Sequence, residues 1–515
     1  MAWGKNGTPN TLTTAGANMN VSDLGGSKTN VVLSHTKRAT GNTYTTIYLN
    51  NESGSSSYSR RQSENGASDG TAVNQNTVIY DMGGDDADKF EITYICGVAT
   101  SEKLAIGFGN NEGSSAGASS APERGEFAWK WANTSDTITR VDNQSGSGTY
   151  ATGSNLSVLG SDVTPADAVP AVPSLMKKLE SPNVGGWVEV GRTTLSSAGD
   201  TISVTSLSDK RYYMWLVDTT ATGGNVELKT RANNDTGSNY AFRYSSDGGS
   251  DTAQSGYPHS GLGYYDGLGS GESGFTVGST ANLSGKEKLT IGHHVSNKAG
   301  TGAGTAPNRV EAVGKWANTS SALNRIDYYN DDAGDFTSGS EVVVLGWDPS
   351  DSHTTNFWEE LADTTFTSSG VSAQTFTAKK YLWFQFWFAS DASGNGQYFQ
   401  LGDTGGIDTG STYARRFSIN GGTDSTSASQ SKIYFAPQTG AVTHFVNMFM
   451  VNNASNEKLV IINATTNNGS GAGNAPQRRE TVGKWVETTN QCDRITIATD
   501  AGTFTGGQLK VWGSD

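Results

Sequence analysis

The adjacent pair His293–His294 invites a metal-site reading, because imidazole is the commonest metal ligand and a ready proton carrier. The chain repeats itself, and repetition supplies a test: a catalytic set should recur, or be complete in one copy. After each "EKL" triplet the places that match the pair hold Phe108 and Gly109, then Asn463 and Ala464. The pair therefore reads as a solvated strand end, and no metal is expected there. No HExxH stretch occurs, and the GxSxG matches, "GASDG" at 66–70 and "GSSAG" at 113–117, fall in a turn and a Gly/Ser loop and recur in neither other copy. The acidic stretches "DMGGDDADKF" and "YNDDAGDF" carry oxygens of the kind calcium takes, about six to eight at a time. They match no EF-hand loop and fall at different places in their copies, so they read as solvated turns, with calcium left open.

Paired carboxylates can hydrolyse glycosides at a separation that only three dimensions decide. The acids that recur are Glu102, Glu287 and Glu457, beside lysines, and Asp69, Asp251 and Asp424, in turns. Salt-bridge and turn roles follow, and the chain is expected to be no enzyme and to use no cofactor. Tyr58 with Arg61, Tyr240 with Arg243, and Tyr413 with Arg416 recur at one spacing. Each pair has two readings. The arginine can pack on aromatic faces and pair with an acid, or Tyr and Arg together can form a sugar-binding platform.

These residues sit in four blocks that appear in one order three times. Pro122, Pro307 and Pro476 stand nine residues before Trp131, Trp316 and Trp485, and Arg124, Arg309 and Arg478 stand two after each proline. "EKL" occurs at 102–104, 287–289 and 457–459, and each copy leads through an apolar strand into a Gly/Ser loop. Tyr, then Arg three later, then Asp eleven later define the third block, preceded by "ESG", "DTG" and "DTG". A terminal strand closes each copy at Gly160, Gly346 and Gly513. The organisation that follows is a module at 1–160, a Pro-rich linker at 161–183, a module at 184–347, a short linker at 348–356 and a module at 357–515. The first linker holds four of the eleven prolines and reads as a stiff spacer, with a turn or two of helix in "SLMKKLE".

"RVEAVGKWA" and "SEVVVLG" alternate as half-buried strands do, and "DGGSD" and "NGGTD" read as hairpin turns. The expected fold is all-β: three tandem antiparallel β-sandwich modules of jelly-roll-like form. "YLWFQFWF", from Tyr381 to Phe388, is apolar on both faces and needs cover on both. Trp383 and Trp387 are accordingly candidates for an interface with another module or another chain.

Composition narrows the class. Twelve Trp, 19 Tyr and 18 Phe are too much apolar surface for a disordered Gly/Ser/Thr chain. A net charge of −14 argues against nucleic acid, which needs clustered Lys and Arg. Cys96 and Cys492 fall at unmatched places, so no disulfide framework is expected. "MAWGKNGTPN" has the character of no signal peptide, and no apolar run is long enough to span a membrane. An extracellular composition without an export signal suits a particle protein made in a host cytoplasm, or a sequence lacking its leader.

"NNDTGSNYAFRYSSDGGSD", closed by "GDFTSGSEVVVLG", resembles a β-rich module of tailed-phage virion proteins, and the whole chain resembles tandem-repeat β-sandwich virion proteins (tail-fibre, spike or decoration-like) of marine tailed phages and related viruses. The resemblance implies a structural or receptor-facing protein of the virion surface: fibre, spike or capsid decoration. The partners it implies are other virion proteins and a host surface glycan, and a symmetric homo-oligomer is expected. The alternatives are a secreted or cell-surface carbohydrate-binding adhesin and a polysaccharide depolymerase. The Trp phrase keeps its Trp while "ANTS" drifts to "VETT", as a core strand would, which moves recognition to the variable Gly/Ser loops.

Overall fold

The strand Tyr381–Ser390 shows how the chain is built. Leu382, Phe384, Phe386 and Phe388 turn into one apolar core, while Tyr381 and Trp383 on the opposite face join another. Strand Tyr212–Thr222 divides the same way: Tyr213, Trp215 and Val217 face one core, and Tyr212, Met214 and Leu216 face the other. In Thr29–Thr36, Val32 faces a core of its own segment and Val31 and Leu33 turn outward to the shared one. Period-two alternation thus feeds two hydrophobic cores from one strand, the arrangement a sheet covered on both faces requires.

The computed structural model describes residues 3–515 except 28, 42–43, 81–87, 113–118, 162–185, 299, 303, 352–355, 392–394, 437–440, 468–472 and 475. Nearly all of the first linker with its "SLMKKLE", most of "DMGGDDADKF", part of the second linker and much of the Gly/Ser loops lie outside the described residues. The chain is all-β and antiparallel, and no helix occurs among the described residues. Three β-sandwiches follow one another, each a large sheet of eight or nine strands over a small one of four or five.

Strand order in the large sheets is the same. In the third it runs Glu359–Thr365, Phe504–Ser514, Tyr381–Ser390, Thr443–Val451, Lys458–Thr466, Gln477–Trp485, Tyr413–Ile419, Ser425–Gln430. The last two strands are joined by a tight hairpin whose Asn420 and Gly421 both have positive φ, +54° and +67°. Asn65–Gly66 and Asp247–Gly248 do the same in the other two sandwiches, and Asn, Asp and Gly are the residues that adopt this left-handed conformation most readily.

Each sandwich has its own core, and the outer faces of the three large sheets meet in a fourth. The equivalent strands Lys103–Asn111, Lys288–Ser296 and Lys458–Thr466 approach one another there, so the three modules surround a pseudo-threefold axis. Phe90 stacks near Tyr212 across one joint, with ring centroids 5.9 Å apart, and Phe275 near Tyr381 across the next at 6.4 Å. The third joint uses tryptophan instead: Trp3 lies on Trp383 at 4.6 Å with planes 8° apart. Trp358, Phe449 and Tyr94 complete the surroundings of Trp383, and Trp387 packs half-buried against the same core. The second apolar face of Tyr381–Ser390 is thus covered by the chain's own modules.

Candidate functional site

Every block that recurs in the sequence converges on the joints between modules. Arg124, at the head of strand Arg124–Trp131, reaches into the second module: its Nε and Nη2 donate to Asp251 at 3.2 and 2.7 Å. Arg309 of the second module makes the same fork with Asp424 of the third, at 3.1 and 2.7 Å. Arg478 of the third returns to Asp69 of the first, its Nη2 at 2.9 Å. One surface of each module therefore meets a different surface of the next, and the series closes after three steps, as a head-to-tail ring must. All six side chains are buried, and bidentate guanidinium–carboxylate geometry is the form in which such pairs hold best.

Inside these forks lies a second ring. Arg124, Arg309 and Arg478 each pair with a glutamate two residues on, Glu126, Glu311 and Glu480. Arg478 also binds Glu126 of the first module at 2.6 Å, and Arg124 approaches Glu311 of the second at 3.8 Å. The hairpin glycines Gly66, Gly248 and Gly421 and the serines Ser63, Ser245 and Ser418 line the opening above, a cavity of about 30 Å³. Burial opposes the charge of Glu126, yet the guanidiniums of Arg124 and Arg478 on either side hold its carboxyl down at about 2. Glu480, dominated by burial and close to Glu126, is pushed up to about 7 despite Arg478. The charges here are held in mutual pairs, and the Ser63, Ser245 and Ser418 hydroxyls donate to the carbonyls of Ala67, Gly249 and Gly422 at 2.8, 2.7 and 2.8 Å.

The remaining blocks lock the same joints. Arg61 donates from Nε to the Pro476 carbonyl at 2.9 Å, Arg243 to Pro122 at 3.0 Å and Arg416 to Pro307 at 2.9 Å. The proline fixed before each Trp is therefore the acceptor for an arginine of the next module. Glu102, Glu287 and Glu457 pair with Lys130, Lys315 and Lys484 at 3.3, 3.4 and 3.4 Å. Those lysines also reach across: Lys130 to the Asn467 carbonyl at 2.8 Å, Lys315 to Glu112, and Lys484 to Gly300.

Tyr58, Tyr240 and Tyr413 are buried and lie parallel to Trp131, Trp316 and Trp485, with centroids 6.3, 6.5 and 6.3 Å apart. Each tyrosine oxygen accepts a backbone N–H, from Leu49 at 2.8 Å, Ala232 at 2.9 Å and Leu401 at 2.9 Å. Each indole N–H donates to the acid of the "ESG" or "DTG" block: Glu52 at 2.7 Å, Asp235 at 2.8 Å and Asp408 at 2.8 Å. The longer Glu52 does the work of aspartate in module one. The sugar-platform reading of Tyr58, Arg61, Tyr240, Arg243, Tyr413 and Arg416 gives way here, because the phenol faces are covered and the guanidiniums are bound to neighbouring prolines.

Among the described residues no group of three or more His, Cys, Asp or Glu is placed to hold a metal. His294 is not a solvated strand end: it is fully buried with Nδ1 2.8 Å from the Thr276 hydroxyl. His293 lies in the central region 4.4 Å from the Phe108 ring, and burial lowers its pKa to about 4. In "YNDDAGDF", Asp331 pairs with Lys229 and Asp332 accepts from Asn225 at 2.7 Å. Cys96 and Cys492 are buried in different cores.

Two features escaped the sequence reading. Trp3, Trp187 and Trp358 stand at the entry of their modules and are all buried in the central core. Their shared position before the first strand of each module was the available signal. Glu112 replaces the asparagine found at Asn297 and Asn467. Those asparagines donate to Glu457 at 2.8 Å and Glu102 at 2.9 Å, whereas Glu112 confronts Glu287. Burial first, then Asp88 and Glu287, raise its pKa to about 7.

No family model matches the chain, and no curated protein matches it. Among solved structures it is similar to the LG1–3 region of the laminin alpha2 chain, at 12% identity over 97% of this chain and 96% of that one, with a TM-score of 0.16. Domains LG4–5 of the mouse laminin alpha1 chain give 12% identity over 63% and 89%, with a TM-score of 0.15. OccK5 (OpdH) of Pseudomonas aeruginosa gives 9% over 92% and 97%, with a TM-score of 0.13. At TM-scores this low, none of these likenesses bears on the site.

Proposed function

We propose that the chain is a non-enzymatic structural protein of a virion surface, a fibre, spike or capsid decoration, that presents three sandwiches as one rigid unit. The observation that carries the reading is the use made of the repeated residues: Arg, Asp, Glu, Lys and Pro in all three copies are spent on closing the ring. Selection for a fixed shape leaves that pattern. An active centre would instead gather reactive groups in an open cleft. The resemblance of the turn and strand phrases to virion proteins supports the placement, and a net charge of −14 suits a protein kept soluble in solution. A threefold-like unit made by one chain can also sit on a threefold site of an assembly while offering each contact three times, with other virion proteins as its partners.

Electron microscopy of purified particles tests this. Density for a three-lobed unit at regular positions, lost when the gene is deleted, is the expected result. Absence of the protein from purified particles would refute the reading, as would turnover of host polysaccharide by the isolated chain.

A further inference from the structure

Module three differs from its siblings along the open edge of its sandwich. Arg415 matches Arg60 of module one but stands where module two has Phe242, while Phe417 stands where the others have Gln62 and Tyr244, and Arg479 where they have Gly125 and Val310. Arg415, Phe417 and Ile419 alternate onto one face of strand Tyr413–Ile419, next to the exposed edge strand Ser425–Gln430. Arg479 pairs with Ile419 on the adjacent strand. The Arg479 guanidinium lies 4.4 Å from the centre of the Phe417 ring, and that of Arg415 lies 4.6 Å from the same ring and 4.9 Å from Tyr434. Lys432 continues the series, 4.0 Å from Tyr398 and 5.1 Å from Tyr434.

The charges are not balanced alike. Lys432 is neutralised by Asp500, which also accepts from the Tyr434 hydroxyl at 2.7 Å. Among the described residues Arg415 meets the Tyr434 carbonyl, at 2.7 Å, and its buried Nε has no partner. Arg479 is 5% exposed; its Nε reaches the Thr481 hydroxyl at 3.3 Å, and both of its terminal nitrogens are buried without a hydrogen-bond partner among the described residues. Contacts with aromatic rings offset only part of the cost of removing a guanidinium from water, and here two such groups share one ring. Burial draws both pKa values down, Arg479 to about 9 and Arg415 to about 10, so both remain charged at neutral pH. Elsewhere in the molecule, buried guanidiniums such as Arg124 and Arg309 meet carboxylates in forks. This pair has its donors ready and the acid missing.

We propose that Arg415 and Arg479 form an anion-binding groove in module three that takes the carboxylate or sulfate group of an acidic saccharide, with the half-buried edges of Phe417, Tyr434 and Tyr398 as its rim. A planar guanidinium matches a two-oxygen anion, and the half-buried aromatic rim beside it gives the C–H groups of a pyranose an apolar contact. The site adds a ligand class to the virion-surface reading above, and stands or falls separately from placement on a particle.

The test uses the full chain, titrated calorimetrically with oligogalacturonate, with sulfated dextran oligomers, with neutral dextran and with inorganic sulfate. One or both acidic oligosaccharides should bind, more weakly as salt rises, and dextran should not; whichever binds more tightly identifies the acid group. The double variant Arg415→Phe/Arg479→Val, which installs the residues of module two, should lose at least tenfold in affinity with an unchanged or higher melting temperature. Arg479→Gln, which keeps polarity without charge, should lose affinity too. Equal binding of neutral dextran, binding of inorganic sulfate as tight as that of either sugar, or unchanged affinity in both variants would overturn the proposal. A double variant that melts several degrees lower would do so as well, because the guanidiniums would then be serving the fold.

Discussion

Asp424→Leu removes the acid that Arg309 grips across the joint between modules two and three. Arg309 is 4% exposed and Asp424 is buried beside the turn glycine Gly248, so the guanidinium left behind cannot turn to water. Two charge-assisted hydrogen bonds go, at 3.1 and 2.7 Å, leaving Arg309 its direct pair with Glu311 and the more distant charges of Glu126 and Glu480. Breaking a buried pair on one side costs about 3–5 kcal/mol, whereas an exposed pair is worth about 0–1 kcal/mol. Equilibrium urea denaturation of the wild type, Asp424→Leu, Arg309→Met and the double variant measures the difference. Each single change should cost about 3–5 kcal/mol, and the double change much less than their sum, because no orphaned charge then remains. Asp69→Leu and Asp251→Leu should cost similar amounts, since Arg478 and Arg124 make the same fork. Single losses under about 1 kcal/mol, or costs that simply add, would refute the idea that these rings hold the modules together.

Trp383→Ala should cost about 3–5 kcal/mol by opening a cavity against Trp3, and hydrogen exchange should rise in modules one and three together. Gly248→Ala puts a Cβ 2.3 Å from an Asp424 oxygen at a φ of +71°, so a loss of at least about 1–3 kcal/mol is expected in the same denaturation assay. The Glu112 carboxyl is held up at about 7 in the folded chain, against 4.5 for an ordinary glutamate. Folding therefore takes up a proton there, so its contribution is present below about pH 4.5 and is lost as pH rises through 7. Glu112→Gln should flatten the fall in melting temperature over that window; an unchanged pH profile would count against a protonated Glu112 at the joint.

The strand pattern was legible because alternation is local. "YLWFQFWF" announces two covered faces in eight consecutive letters, and Asn-Gly or Asp-Gly turns announce their own left-handed φ. The tyrosine platform was misleading for the same reason: Tyr58 and Arg61 lie close in sequence, yet their partners, Leu49 and Pro476, come from another strand and another module. The acid that completes Arg124 is 127 residues away, and the one that completes Arg478 is 409 residues away. No local period encodes such a pairing.

By itself, then, the sequence determined the number of copies, the strands, the turns and the need to cover a second apolar face. Only the tertiary structure decided that the cover is the chain itself. Placing the large sheets around one axis turns residues repeated along the chain into pairs across joints, because charges far apart in sequence lose their water together only when the modules close. The same folding leaves Arg479 buried without an acid, a feature whose meaning depends entirely on what fails to approach it.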